Sequence, residues 1–354
     1  MKNSITVAVT GFEASARSQA ATAICRCLRD SVSFEGRIIG LTYDPYAGAS
    51  YEPGLLDAAY LVSSPQAGRG KFLAEVRKIK EKDGIDVLII AHENEYPHIL
   101  REEIENLGIR TLLPDTTAKE SISRRNMIDL SKDLRIDIPT TYVAESLPIA
   151  WAQANAIGYP CFLKSTQDSR SFVTHSDEET TIIYQSFVAD RYQTVLVQGM
   201  LRGETITVHG LASQGGGWIG GAAVKKIAPA HSGSTWGGVT VDMPDLLQNT
   251  EKIVRYAGWT GPIEVDFLHE EDLNRCTLID IRPGYGSMVS FLYPGGMNLP
   301  ELGVRLTFGE NLSLTPSPIP GILTFRYTED LLSDMSAFAA FSVTREVHHD
   351  GHNH

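Results

Sequence analysis

Positive charge is what this 354-residue chain has too little of: 31 Lys and Arg stand against 43 Asp and Glu, leaving −12 at neutral pH. That balance argues against nucleic acid, whose phosphates require a basic surface. Long apolar runs are also missing. Met1-Lys2 leads straight into a strand-like segment, so neither a secretory leader nor a membrane span is expected. Cysteine is scarce: Cys25, Cys27, Cys161 and Cys276 show no metal spacing, and Cys25-Arg-Cys27 falls within a helical pattern. Reduced, buried thiols in a cytoplasmic protein are the expectation. There is no complete phosphate-binding glycine loop either. The Thr10-Gly11 turn continues as Phe-Glu-Ala-Ser, and a tight strand-to-helix turn explains its single glycine equally well. No internal repeat and no Ser/His or Cys/His constellation is visible. What remains is ordinary globular composition, 42% hydrophobic and 21% charged, in a chain long enough for two or three domains.

Taken in order, strands and helices alternate at first. Strands are read at Ile5–Gly11, Gly36–Tyr43, Asp86–His92 and Ile109–Leu113, with helices at about 14–28, 72–82 and 98–107. That succession implies a parallel sheet covered on both faces. Asp44, before a proline, reads as a turn residue. After Pro114 the character changes. A helix over 118–134 carries Arg124 and Arg125, and Cys161–Lys164 is an apolar strand ending on a cation. The polar loop Ser165-Thr-Gln-Asp-Ser-Arg-Ser171 follows. Further strands at 194–198, 205–211 and 218–227 are read as one antiparallel sheet, with Gly215–Gly217 as a hairpin turn. The expected divisions are 1–114, 115–235 and 236–334, with 335–354 as a solvated tail whose histidines receive no role.

The densest chemistry lies between Gly261 and Gly284. Gly-Pro-Ile-Glu-Val-Asp-Phe-Leu-His, a polar turn, and Cys-Thr-Leu-Ile-Asp-Ile-Arg-Pro-Gly read as two strands joined by a loop. Side chains alternate along a strand, so Glu264 and Asp266 share one face, as do Asp280 and Arg282. If the loop is symmetric about Leu273, Asp266 stands opposite Asp280 and Glu264 opposite Arg282. Opposed like charges destabilise a sheet. A divalent cation removes that penalty, because Mg²⁺ binds through one or two carboxylates together with substrate phosphates. The plainer reading is a solvated acidic face with one Glu264–Arg282 ion pair. Lys164, Arg124, Lys225 and Lys226, each an ordinary surface charge when taken singly, could together face a polyanion.

The order of these pieces resembles the ATP-grasp superfamily, and within it the carboxylate–amine ligases related to the carbamoyl-phosphate synthase large subunit. The pieces are the parallel α/β unit, the strand ending in lysine after Gly-Tyr-Pro, the stretch Val195-Leu-Val-Gln-Gly-Met-Leu-Arg-Gly-Glu204 and the two acidic strands. The resemblance spans about residues 5–310. It also includes Gly-Ile-Asp-Val-Leu-Ile-Ile-Ala-His-Glu-Asn-Glu95 and the Gly-Ser-Met-Val-Ser-Phe-Leu-Tyr-Pro-Gly-Gly-Met-Asn-Leu-Pro-Glu-Leu run after Tyr285. It implies an ATP-grasp fold, α/β and α+β, with an N-terminal Rossmann-like domain.

Residue by residue, the resemblance implies that Arg124 (or Arg125) and Lys164 contact ATP. Gln198, Gly199 and Met200 would form the adenine hinge, and Glu204 (or Thr205) would take the ribose. Asp266 and Asp280 would hold Mg²⁺, and Arg282 and Lys164 would be the catalytic cations. Placement near the last motifs makes His209, Lys225, His231, Trp236, Arg282 and Tyr285 candidates for a substrate pocket, Trp236 as a loop lid or a packing residue. The implied reaction joins a small carboxylic acid, through an acyl phosphate, to an amine, an amino acid or short peptide; homodimerisation is compatible with the resemblance. Three departures stand out. The loop over the phosphates contains no glycine; the last motif has Asp where Glu is usual, and Arg282 where an asparagine is usual. Arginine has only donors and cannot ligate a metal. These departures motivate two rivals, a non-catalytic nucleotide-binding protein and a kinase releasing acyl phosphate.

Overall fold

A computed structural model of the protein describes residues 5–13, 19–91, 97–166, 170–192, 194–229, 235–327 and 330–349. Its strands form three sheets. The first contains β1 (Thr6–Phe12), β2 (Arg37–Thr42), β3 (Ala58–Leu61) and β4 (Val87–Ile89), interleaved with α1 (Gln19–Arg29), α2 (Pro65–Asp83) and α3 (Pro97–Asn106). The strands pair in parallel in the order β3-β2-β1-β4. Alternation along β1 sends Val7 and Val9 into a core with Ile24 and Leu28 of α1, and Ala8 into a second core with Phe72 and Val76 of α2. Burial of both faces is why β1 reads as an unbroken apolar run. The strand expected at 109–113 is reduced to a single bridge between Val87 and Arg110.

Beyond Pro114, α4 (Thr116–Ser121) and α5 (Met127–Leu134) replace the single helix expected over 118–134. Local side chains break it: the Ser121 hydroxyl donates to the Ala118 carbonyl at 2.8 Å, and the Asn126 amide to the Glu120 carbonyl at 2.9 Å. Such bonds compete with helix continuation. The break frees Arg124 from a helix surface. Next come β5 (Thr141–Ala144), α6 (Leu147–Ile157), β6 (Cys161–Ser165), β7 (Ser171–Thr174), α7 (Asp177–Ala189) and β8 (Val195–Gly199). They form an antiparallel sheet, β5-β8-β6-β7, with α6 and α7 packed on it.

The third sheet has six strands. It is built from β9 (Glu204–Ser213), β10 (Gly217–Pro229), β11 (Thr235–Val241), β12 (Gly261–Glu270), β13 (Arg275–Pro283) and β14 (Leu323–Phe325), with α8 (Pro244–Ala257) and α9 (Leu299–Thr307). Its order is β13-β12-β9-β10-β11-β14. β9 and β10 therefore separate from β8, with which they were expected to pair, and the expected division at 235 falls inside this sheet. The two antiparallel sheets part within Met200–Gly203. One face packs on α5 and α8 through Ile206, Val208, Val265, Phe267, Leu246 and Ile253. On the other, Met288, Val289 and Phe291 bridge Ala222 and Val224 to α1, so the N-terminal domain and this sheet share a core. All four cysteines are free thiols, and Cys25, Cys27 and Cys161 are buried. No helix among the described residues is long and apolar enough to cross a membrane.

Residues 335–349 are not the solvated tail expected. α10 (Met335–Thr344) and β15 (Glu346–His348) fold back, and β15 pairs antiparallel with β3, covering that edge of the first sheet. Phe341 is 1% exposed and meets the Tyr51 ring edge-on at 5.7 Å. Phe341→Ala should cost about 3–5 kcal/mol in denaturant unfolding. Val343→Ala, at an 82% exposed position, should stay within about 0.5 kcal/mol.

Candidate functional site

In the hairpin of β12 and β13, Asp266 opposes Asp280 and Glu264 opposes Arg282 as expected. The loop is not symmetric about Leu273, however: Phe267 pairs with Leu278, and a bulge at Ile279 brings Asp280 into place. A short 3₁₀ turn over Glu271–Leu273 joins the strands. Ile263, Val265 and Phe267 point toward α8. Glu264 and Asp266 point to the other face, beside His209 and Thr207 of the neighbouring β9. Glu264, Asp266 and Asp280 are 9%, 5% and 8% exposed. Buried carboxylates persist only when paired, and cations from four parts of the chain supply the pairing.

Arg282 lies at the centre. Its Nε is 3.0 Å from Glu264 Oε2, its Nη2 2.8 Å from Asp266 Oδ2 and its Nη1 3.8 Å from Asp280 Oδ2. Arg124, from the break between α4 and α5, grips Asp280 with both prongs, Nε to Oδ1 at 3.0 Å and Nη2 to Oδ2 at 2.6 Å. Its Nη1 donates to the Arg170 carbonyl at 3.1 Å, tying the cluster to the end of the β6–β7 loop. Asp266 accepts the Thr207 hydroxyl at 2.5 Å and has Lys226 Nζ at 3.4 Å. Lys164, 8% exposed at the end of β6, donates to the Ile279 carbonyl at 3.3 Å. The four-stranded and six-stranded sheets therefore meet at a group of cations and carboxylates.

Burial would raise the Asp266 and Asp280 carboxyls. Arg282, Lys226 and the Thr207 bond reverse that at Asp266, and Arg124, Arg282 and Lys164 at Asp280, so both titrate below the usual carboxylate range. Glu264 is lowered as well, its burial outweighed by Arg282 and His209. Burial pushes Lys164 down to about 8; Asp280 and Asp266 oppose the shift, and Arg124 and Arg282 add to it. His209 is fully enclosed and lowered by that burial. Its Nε2 lies 3.8 Å from Glu264 Oε1 and makes no hydrogen bond among the described residues.

Other candidates fall elsewhere. Gln198 is buried at the end of β8, its amide donating to the Thr141 hydroxyl at 2.8 Å. The Gly199 N–H bonds the Thr140 carbonyl at 2.8 Å, and Met200 is exposed. All three lie where the chain passes between the two antiparallel sheets. Glu204 starts β9 and pairs with Lys225 of β10. Lys225 and Lys226 are neighbours on one strand and face opposite ways, and it is Lys226 that reaches Asp266. The alternation of β10 against β9 carried that signal, and reading the two lysines together missed it. Arg125 is exposed. Trp236 lies on β11, 40% exposed, and forms no loop lid. Tyr285 is a core residue whose hydroxyl donates to the Leu299 carbonyl at 3.3 Å, and it does not line the charged cluster. His231 and residues 167–169 of the polar loop lie outside the described residues.

No group of three His, Cys, Asp or Glu suited to hold a metal occurs among the described residues. The hairpin offers two opposed carboxylates already satisfied by cations. With Arg282 against Asp266 and 3.8 Å from Asp280, a hard divalent ion would have to fit at Asp280, with phosphate oxygens completing its shell. Arg282→Met would leave buried carboxylates unpaired and should cost about 3 kcal/mol at pH 7, the lower end for broken buried pairs. The sign with pH follows from the lowered carboxyls. Wild-type stability from these groups is present above the unfolded carboxyl range and is lost as pH falls through the folded values. Without Arg282, burial should raise Glu264, while Asp266 keeps Lys226 and Thr207, so the deficit should shrink between pH 7 and 5. Urea unfolding at both pH values tests this.

No protein-family model matches the sequence, and no curated protein sequence matches it. Solved structures do match. The biotin carboxylase domain of Hydrogenobacter thermophilus 2-oxoglutarate carboxylase, solved with MgADP, ADP and bicarbonate, aligns with a TM-score of 0.67 at 14% identity. That match covers 89% of this chain and 72% of that one. The ADP complex of an N5-carboxyaminoimidazole ribonucleotide synthetase aligns at 0.66 and 12%, covering 89% and 80%. An L-amino acid ligase from Bacillus licheniformis aligns at 0.61 and 13%, covering 87% and 75%. At such identities the likeness is one of fold, and it agrees with the order of motifs along the sequence. The chain has the ATP-grasp fold, preceded by a Rossmann-like α/β domain.

Proposed function

We propose that the protein is an ATP- and Mg²⁺-dependent ligase that joins a small carboxylic acid to an amine with formation of ADP. One observation carries the reading: Arg124, Lys164, Lys226 and Arg282 converge on Glu264, Asp266 and Asp280 at the junction of the two antiparallel sheets. The fold's solved neighbours include two ADP complexes and an L-amino acid ligase, which supports the same kind of reaction.

In this reading Asp280, beside Asp266, would hold the metal with the nucleotide phosphates once Arg124 and Lys164 turn from Asp280 toward those phosphates. The ion, when bound, offsets charge on the phosphate oxygens. Gln198–Met200 border the base and Glu204 the ribose. A substrate carboxylate attacks the γ-phosphorus, giving an acyl phosphate and ADP. An amine then attacks the acyl carbon, and phosphate leaves with the C–N bond formed. Catalysis is then chiefly positioning and neutralisation of charge by Lys164 and Arg282, which requires no nucleophilic side chain. The acid and amine are small molecules, and the protein acts in the cytoplasm.

Two measurements test this. ADP release with a panel of acids and amines should appear for at least one pair, and Lys164→Met should lower kcat/KM about a hundredfold or more. Tight ATP binding without turnover on any pair would favour a non-catalytic nucleotide-binding protein. Product trapped by hydroxylamine in the absence of amine would favour an acyl-phosphate-releasing kinase. The second measurement uses the lysine itself. Lys164 titrates at about 8, and a triphosphate raises that value by favouring the charged form. ATP binding should therefore take up a proton above pH 8 and very little at pH 6.5, seen calorimetrically in buffers of different ionisation enthalpy. Lys164→Met should abolish the uptake, and equal uptake at both pH values would contradict the role.

A further inference from the structure

Arg282 is anchored where a second cation would otherwise be needed. One prong contacts Asp266 at 2.8 Å and another faces Asp280 at 3.8 Å, so one guanidinium spans the two opposed aspartates. A divalent ion on Asp266 Oδ2 would stand about 2.0–2.1 Å from that oxygen, in the space that Nη2 occupies. Arg282 is not free to swing away. Its Nε is bonded to Glu264 at 3.0 Å, across the strand pair that fixes both residues. Glu264 is 9% exposed, and a Cβ at Gly286 would overlap its carboxylate. Displacing Arg282 would leave Glu264 buried without its hydrogen-bonded cation. Asp280 is gripped on both oxygens by Arg124, which in the proposed function turns to the phosphates and leaves Asp280 to a single ion.

We infer that Arg282 is a built-in cation standing in for a second metal, so that the protein binds one divalent ion with each nucleotide. Two-metal phosphoryl-transfer sites place their ions about 3.5–4 Å apart, both on shared oxygen ligands. Here one of those places is held by a fixed charge that needs no ion from solution. The inference rests on the proposed nucleotide site and sets its metal stoichiometry. It also gives Glu264 a role as a positioning residue: it holds the guanidinium against the aspartates.

Equilibrium dialysis with Mn²⁺ and the non-hydrolysable β,γ-imido analogue of ATP tests the inference, with metal counted by electron paramagnetic resonance and nucleotide by absorbance. Wild-type protein should bind one Mn²⁺ per nucleotide. The charge-balanced double variant Glu264→Gln/Arg282→Asn should bind two, and Arg282→Lys should stay at one. Two Mn²⁺ per nucleotide in wild type would overturn the inference regardless of how the variants fold. So would a count of one in a double variant with native near-ultraviolet circular dichroism. Wild type that retains no nucleotide would overturn the proposed function itself and this inference with it, a result distinct from a wrong metal count because nucleotide is measured separately.

Discussion

Three buried carboxylates on one face of a β-hairpin must be neutralised, and that requirement shapes the structure around them. Arg282 does it within the hairpin, on Glu264 and Asp266. Arg124 and Lys164 do it from the preceding unit, and Lys226 from the neighbouring β10. Replacing such a cluster with apolar side chains commonly leaves stability unchanged or raises it. A cluster of that kind at the meeting of two sheets is therefore better explained by what it binds than by what it stabilises. The strongly perturbed Lys164 among these groups fits that reading.

Packing delivers each cation to the cluster. The helix break after Ser121 turns Arg124 inward, while Ala118, Met127 and Leu130 stay in the core shared with α8. β6 carries Lys164 because its alternate residues Cys161 and Leu163 are anchored in the core beneath α6 and α7. The hairpin itself is held by Val265, Phe267, Leu278 and Ile281 on its apolar face. In the proposed function a polyanion draws Arg124 and Lys164 away from Asp280, leaving that carboxylate to a cation brought by the ligand. Arg282 is the exception, tied back through Glu264.

Much of this was legible from side-chain alternation alone. Alternation was enough to group Glu264 with Asp266 and Asp280 with Arg282, since a one-residue slip would have buried the charges among Val265 and Phe267. The loop is not symmetric about Leu273, and a bulge at Ile279 restores the opposition of Asp266 to Asp280. The parallel first domain was legible for a similar reason, its strands being short apolar runs separated by amphipathic helices. β3 was not, because Ala-Ala-Tyr-Leu is too brief and too alanine-rich to signal a strand. Ile109–Leu113 failed in the opposite sense: its apolar character reflects burial at the domain junction, with only one bridge to β4. The helix break depended on serine and asparagine bonds to nearby carbonyls, which helical periodicity does not report. Trp236 among glycines looked like a loop, yet long-range pairing with β10 and β14 made it part of a strand. The C-terminal segment was legible only from its partner, the open edge of β3.

The central claim is that the charged cluster is a nucleotide site whose ion pairs re-form around Mg·ATP. Thermal unfolding of wild-type protein and of Arg124→Met/Lys164→Met, with and without Mg·ATP, tests it most directly. A ligand at about a hundred times its Kd stabilises the folded state by about 2.7 kcal/mol, so wild-type Tm should rise by several degrees and the double variant should show almost no rise. An unchanged wild-type Tm at millimolar Mg·ATP, or an equal rise in both proteins, would contradict the account.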